Sequence, residues 1–135
     1  MSETKDKELL GNEKIEENIE KFLQNQTEEA LANLLSSIRK QMDNGASFVV
    51  AIDPNFMTGM QIKEVVLKDG RSVGLIFTSF EEQMKGSKTI STFMVSMKQL
   101  FKAVLSNTMT QGLLLNAYGK AFVLDKTLIR LIVKE

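Results

Sequence analysis

The stretch "GASFVVAIDPN", residues 45 to 55, sets the first constraint on how this chain can fold. Five consecutive apolar residues, Phe48 to Ile52, lie between Gly45 and the turn-forming Asp53-Pro54-Asn55. Five residues is strand length, and no polar residue alternates along the run. It therefore reads as a fully buried strand rather than one with a wet face. Such a strand needs neighbours beside it and cover above and below, which the rest of the chain has to supply.

The cover comes first. "TEEALANLLSSIRKQMDNG" predicts the best helix in the chain, with Thr27 as its N-cap and Glu28 and Glu29 at the positive end of its dipole. Leu31, Leu34, Leu35, Ile38 and Met42 fall on one face, and Asn44-Gly45 supplies a left-handed stop. Upstream, "NEKIEENIEKFLQN" spaces Ile15, Ile19, Phe22 and Leu23 at helical intervals behind Asn12 as N-cap. Its apolar stripe is narrow, so it is a helix only when docked. Residues 1–26 are expected to be an acidic arm, disordered or a loosely docked helix, and residues 1–11 are read as disordered. Residues 27–135 are expected to form one domain.

The neighbours follow the buried run. "NFMTGMQ" reads as a loop, and "QIKEVVLKDGRSVGLIFTS" as a hairpin whose Asp69-Gly70 suits a two-residue type I′ turn. "SFEEQMKG" opens with Ser79 three residues before Glu82, a capping box. "KTISTFMV" is a strand that runs into the helix "SMKQLFKAVLSN", where Ser96 and Gln99 repeat the box. The buried face of that helix is Met97, Leu100, Phe101, Val104 and Leu105. "GLLLNAYGKAFVL" reads as strand, turn and strand. Asn116 starts the turn, Gly119 takes its left-handed position, and Tyr118 sits at or near the tip. "DKTLIRLIVKE" closes as a helix capped by Asp125, with Leu128, Ile129, Leu131 and Ile132 facing inward. The expected architecture is α+β, one mixed sheet of about six strands with helices packed on it.

Composition narrows the chemistry. The 135 residues contain no cysteine and no histidine. That removes disulfides, thiol nucleophiles, Ser-His and Cys-His sites and almost all transition-metal sites. Catalysis would fall to Asp, Glu, Lys or Tyr with pKa values tuned by burial, so the expectation is a non-enzyme without cofactors. Formal net charge is zero, but the first thirty residues carry nine acids and four bases, and the remainder eight acids and thirteen bases. The lysines are scattered rather than striped, which argues against nucleic acid as partner. No apolar run reaches membrane-spanning length, and the polar, acid-rich N-terminus is neither a secretory signal nor a transit peptide. The expected location is cytoplasmic.

Site candidates are few. "GLLLNAYGKAFVL" lacks the G-x-G-x-x-G spacing of a dinucleotide loop, and Gly119-Lys120 is followed by Ala121 and a strand rather than by Ser/Thr and a helix. The acids form no catalytic pair and no calcium loop. Met84, Met94 and Met97 are read as core. Phe56, Met57 and Met60 cluster around Gly59, and methionine's flexible, polarizable side chain suits an adaptable partner-binding surface. Tyr118 is read as a second partner contact, or as packing over the sheet edge.

The succession "FVVAI", "GLIFTSFEE", "MKQLF" and "QGLLLNAYGKAFVLDKTLI" resembles the SseB N-terminal domain family over roughly residues 27 to 133. Phe77-Thr78-Ser79 and Gly112 through Leu124 carry the resemblance; Ala117 stands where that family usually has proline. The longer members have a second C-terminal domain, which this chain is expected to lack. The resemblance implies a bacterial α+β domain and no catalytic residues. The leading expectation is therefore a non-catalytic cytoplasmic protein-binding or adaptor domain, with a homodimer as one arrangement. The alternative is a small-molecule sensor or regulatory module linked to serine and amino-acid metabolism.

Overall fold

A computed structural model describes residues 7–55, 59–86 and 91–134, with the backbone alone for 54, 55, 59 and 60. A 3-10 turn (Lys7–Leu9) leads into α1 (Glu13–Gln24) and α2 (Glu28–Asp43). Four strands follow: β1 (Ser47–Asn55), β2 (Gly59–Ile62), β3 (Glu64–Val66) and β4 (Ser72–Phe77). Then come α3 (Phe80–Met84), β5 (Ser91–Ser96), α4 (Met97–Ser106), β6 (Gly112–Leu115), β7 (Phe122–Asp125) and α5 (Lys126–Val133). Among the described residues the strands make one mixed, seven-stranded sheet with helices on it. The architecture is α+β, with one strand more than expected.

Local chemistry sets most boundaries. Thr27, Ser79, Ser96 and Asp125 each accept a backbone N–H at the start of α2, α3, α4 and α5. α2 ends in a Schellman motif: Gly45 has φ +84°, its N–H donates to Met42, and the Ala46 N–H donates to Gln41. Asn12 does not cap α1 with its side chain. Its amide turns inward instead, to partners described below. In the hairpin, Leu67 N–H donates to Arg71 O and Gly70, at φ +93°, donates to Leu67 O. That is a three-residue loop with one left-handed residue, not the two-residue type I′ turn, which needs positive φ at both central positions.

The extra strand arises because the first strand of the expected hairpin breaks at Lys63, and its first part, β2, reaches back into the stretch expected to be a loop. β2 pairs antiparallel with the outer half of β1 (Ile52 with Ile62, Pro54 with Met60), while β4 pairs with the inner half at Val49 and Val50. β3 in turn pairs antiparallel with β4. The chain therefore comes back along β1, reverses at Lys63 and leaves along β4, forming a V that fills the gap where β1 and β4 diverge. Lys63 sits at its apex, donating to Ala51 O and accepting from Leu75 N–H (both 2.9 Å). Backbone pairing on both flanks makes this segment sheet despite its Gly and Met content.

Helices α1, α2, α4 and α5 cover one face of the sheet, over Phe48, Val50, Ile76, Leu113, Leu115, Phe122 and Leu124. The opposite face gathers Val49, Ala51, Leu75 and Phe77, with Leu9, Phe80, Met94, Leu114 and Ala117 against them. The alternation along β1 accounts for its unbroken apolar run, since both faces are in contact with protein. Met97 is buried in the core as expected, and Met94 is half-buried. Met84 is 52% exposed, because the short α3 directs Phe80 and Gln83 inward. Leu131 is also exposed: two positions from Ile129 is more than half a helical turn, so both cannot face the sheet.

The docking of the N-terminal segment is resolved. Ile15 and Ile19 are fully buried in the main core, and Phe22 meets Phe122 edge-on at 5.6 Å. A twelve-residue helix is marginal alone, whereas two buried isoleucines contribute on the order of 3 to 6 kcal/mol as an upper figure. Residues 7–9, read as disordered, form the 3-10 turn, and its Leu9 packs on the opposite sheet face. Residue 26 thus marks only the link between two helices that share one core.

Gly112 is required by space. A Cβ there would lie 2.5 Å from Leu124 O and 2.8 Å from Asp125 Cα, where β6 pairs antiparallel with β7. Gly112→Ala is expected to lower the unfolding free energy by about 1–3 kcal/mol, read as a drop in urea midpoint; an unchanged midpoint would show that the strands can separate freely.

Candidate functional site

At the sheet end where β1 starts and β4 finishes, a buried set of polar side chains joins four segments. Asn12, 2% exposed, donates its amide to Ser47 O and Thr78 O (both 3.0 Å). Its Oδ1 accepts from Gln41 Nε2 (2.8 Å), which also reaches Leu10 O. Thr78, just past β4, donates its N–H to Asn116 Oδ1 (2.9 Å) and its hydroxyl to Glu16 Oε2 (2.5 Å), and accepts from Asn116 Nδ2 (3.1 Å). The side-chain polar atoms of Asn12, Thr78 and Asn116 are thereby all matched.

Asn116 holds this position through its backbone. It is left-handed (φ 58°), donates its N–H to Ile76 O and accepts from Gly119 N–H (3.0 Å). The expected assignment is thus reversed, with Asn116 rather than Gly119 taking the left-handed place. Asparagine tolerates that conformation better than other side chains, and here it also delivers its amide to Thr78. Gly119 answers to crowding: a Cβ would sit 2.8 Å from Glu82 Oε1.

Glu82 does not complete the capping box. Its Oε2 accepts from Lys85 Nζ (2.7 Å), and Oε1 faces Gly119 without a hydrogen-bond partner. The Glu82 hydrogen bond, and then its charge, raise the Lys85 pKa above the ordinary lysine value. Because the shift is upward, that contribution is complete below the ordinary lysine range and is lost only as pH rises through the raised value.

Around this knot lie two adjoining clefts of about 570 and 310 Å³ between α1, α3 and the β6–β7 turn. Glu13, Glu16, Glu82 and Lys85 line both; Glu17, Glu20 and Lys120 extend one, and Leu9, Phe80, Glu81 and Met84 the other. Six carboxylates therefore face two lysines, beside an apolar strip. The turn of α1 produces the acidic rim, since Glu13, Glu16, Glu17 and Glu20 recur at spacings of three and four. Among the described residues no three metal-ligating side chains converge, and no described helix is long and apolar enough to cross a membrane.

Of the residues proposed from sequence, Phe56 and Met57 lie outside the described residues, and Met60 is placed by its backbone in β2 opposite Pro54. Tyr118 is 36% exposed, with its ring 5.5 Å from that of Phe77 and its edge over Gly86, where a Cβ would meet it at 2.2 Å. It is both packed and accessible. Asn12, Glu16, Thr78 and Asn116 were not singled out as site residues, because each is an ordinary cap, surface acid or turn residue until the fold brings them together. No protein-family model, curated protein sequence or solved structure matches the chain.

Thr78→Val keeps the shape but leaves Glu16 and the Asn116 amide without their shared hydroxyl. It should lower the unfolding free energy by about 1–3 kcal/mol in urea titration, with Thr78→Ser recovering most of the loss. Equal effects from the two variants would show that the hydroxyl contributes nothing.

Proposed function

We propose that this chain is a non-catalytic binding domain whose cleft between α1, α3 and the β6–β7 turn takes a basic, partly apolar segment of a partner protein. One observation carries the reading: the cleft sets an acidic rim beside an apolar strip that is open to a partner. Met84 is 52% exposed in the cleft beside half-buried Phe80, and the carboxylates outnumber the lysines. Apolar anchors supply affinity in such surfaces, and the charged rim steers and selects. The polar groups beneath are engaged in holding Asn12, Thr78 and Asn116 together, which suits a rigid platform better than a reacting centre. The adaptor role, the bacterial cytoplasm and kinship with the SseB N-terminal domain family belong to the same proposal, supported by the sequence motifs already quoted.

The test is selection of binding peptides from a randomised library, followed by affinity measurement. Selected peptides should be enriched in Lys or Arg next to large apolar residues and should bind more weakly as salt rises. The double variant Met84→Ala with Glu81→Lys alters only exposed positions and should cost about tenfold or more in affinity. Undiminished binding by that variant would contradict the proposal. The larger cleft is also within the size range of small-ligand sites. Thermal stabilisation by serine-family metabolites, with no peptide selected, would favour the sensor reading instead.

A further inference from the structure

β5 is an edge strand, and its sequence, "STFMVS", carries none of the usual protections of an edge. Among the described residues it pairs only with β1, through Ser47–Ser96 to Ile52–Ser91. Along its six residues there is no charge and no proline, none of them is fully buried, and Phe93 is 49% exposed. Edges of this kind are normally blunted by lysine, proline or a bulge. The opposite edge, β7, is shorter and ends on the charged Asp125.

The ladder shows which backbone groups are free. Met97 N–H donates to Ala46 O, so in the register with β1 residues 91, 93 and 95 turn their N–H and C=O inward. Thr92, Met94 and Ser96 turn theirs outward. Ser96 is the N-cap of α4, and its carbonyl opens that helix's hydrogen-bond series. The complete free pairs are those of Thr92 and Met94.

The geometry points to a second copy of this chain as the partner of β5, in an antiparallel two-fold pairing centred on Phe93. Opposed residues share a face, so the axis has to pass through a residue rather than between two. With the axis through Phe93, Thr92 of each copy faces Met94 of the other, and every free N–H and C=O of these residues is matched. Ser91 then faces Val95, and the two Phe93 side chains meet in the closer, non-hydrogen-bonded type of pair. No charge opposes its like, and a formal net charge of zero gives the copies no long-range repulsion. An axis through Met94 would set Thr92 against Ser96, whose carbonyl is already engaged. So short an edge contact belongs to the small-interface class, with association on the order of micromolar or weaker.

The experiment is sedimentation equilibrium of the full chain over a concentration series, from about 1 μM to about 1 mM, a range that brackets that affinity. A reversible monomer–dimer equilibrium is expected, weakened about tenfold or more by Phe93→Lys, which places like charges in register. Circular dichroism confirms that the variant is folded. Because the chain has no cysteine, Phe93→Cys gives a second readout: opposed positions on paired strands lie within disulfide range. It should form a covalent dimer under mild oxidation much faster than Leu131→Cys, an exposed control on α5. A monomer throughout the series, a dimer unaffected by Phe93→Lys, or equal cross-linking at the two cysteines would overturn the proposal.

Discussion

The fold turns on the paired hydrogen bonds of Asn12 and Thr78 at one end of the sheet. The chain crosses this end from the Lys7–Leu9 turn on one face to α1 on the other. The crossing leaves the carbonyls of Ser47 and Thr78 away from the regular ladder, with the Asn12 amide 3.0 Å from each. Gln41 of α2 fixes the orientation of Asn12, and Asn116 fixes that of Thr78. Helix, strand end and turn are thus linked by groups that would each cost about 1–3 kcal/mol if left unpaired in the interior. The apolar burial of Ile15 and Ile19 supplies more energy, but it does not specify where along the sheet α1 sits. The polar set does.

That location shapes the cleft. The first turns of α1 bring Glu13 and Glu16 against α3, and the Glu16 bond to Thr78 holds the acidic rim over the sheet end. The left-handed Asn116 then aims the β6–β7 turn so that Tyr118 lies on Phe77 and Gly119 on Glu82. An exposed aromatic and an acid-rich wall are therefore consequences of one buried arrangement rather than independent surface features.

Much of the fold was legible in the sequence because it rests on local rules. Thr27, Ser79, Ser96 and Asp125 mark four helix starts by their own side-chain chemistry, and Gly45 marks a stop. The unbroken "FVVAI" run marks a central strand. What escaped depends on distant partners. β2 is a strand only because β1 lies beside it, and β1 runs on through Pro54 for the same reason. Asn12 has the identity of a cap, but the Oδ1 that would cap accepts from Gln41, while its amide N–H groups go to the Ser47 and Thr78 carbonyls, 35 and 66 residues away. The narrow stripe of α1 hid its depth of burial, since two isoleucines suffice when the helix is already positioned by polar contacts. Site chemistry was the least legible part, because the glutamates of α1 look like any solvated helix face until α3 is placed opposite them.

Native-state hydrogen exchange resolved by residue tests the central claim most directly. If the Asn12–Thr78 set locks α1 to the sheet, the amides around Ile15 and Ile19 should open with the free energy of β1 and β4, in one cooperative unit. Asn12→Ala should then release α1 as a separate, lower-energy opening while leaving the sheet amides near their original protection. Early independent opening of α1 in the unmodified chain, or unchanged α1 protection in Asn12→Ala, would contradict the account.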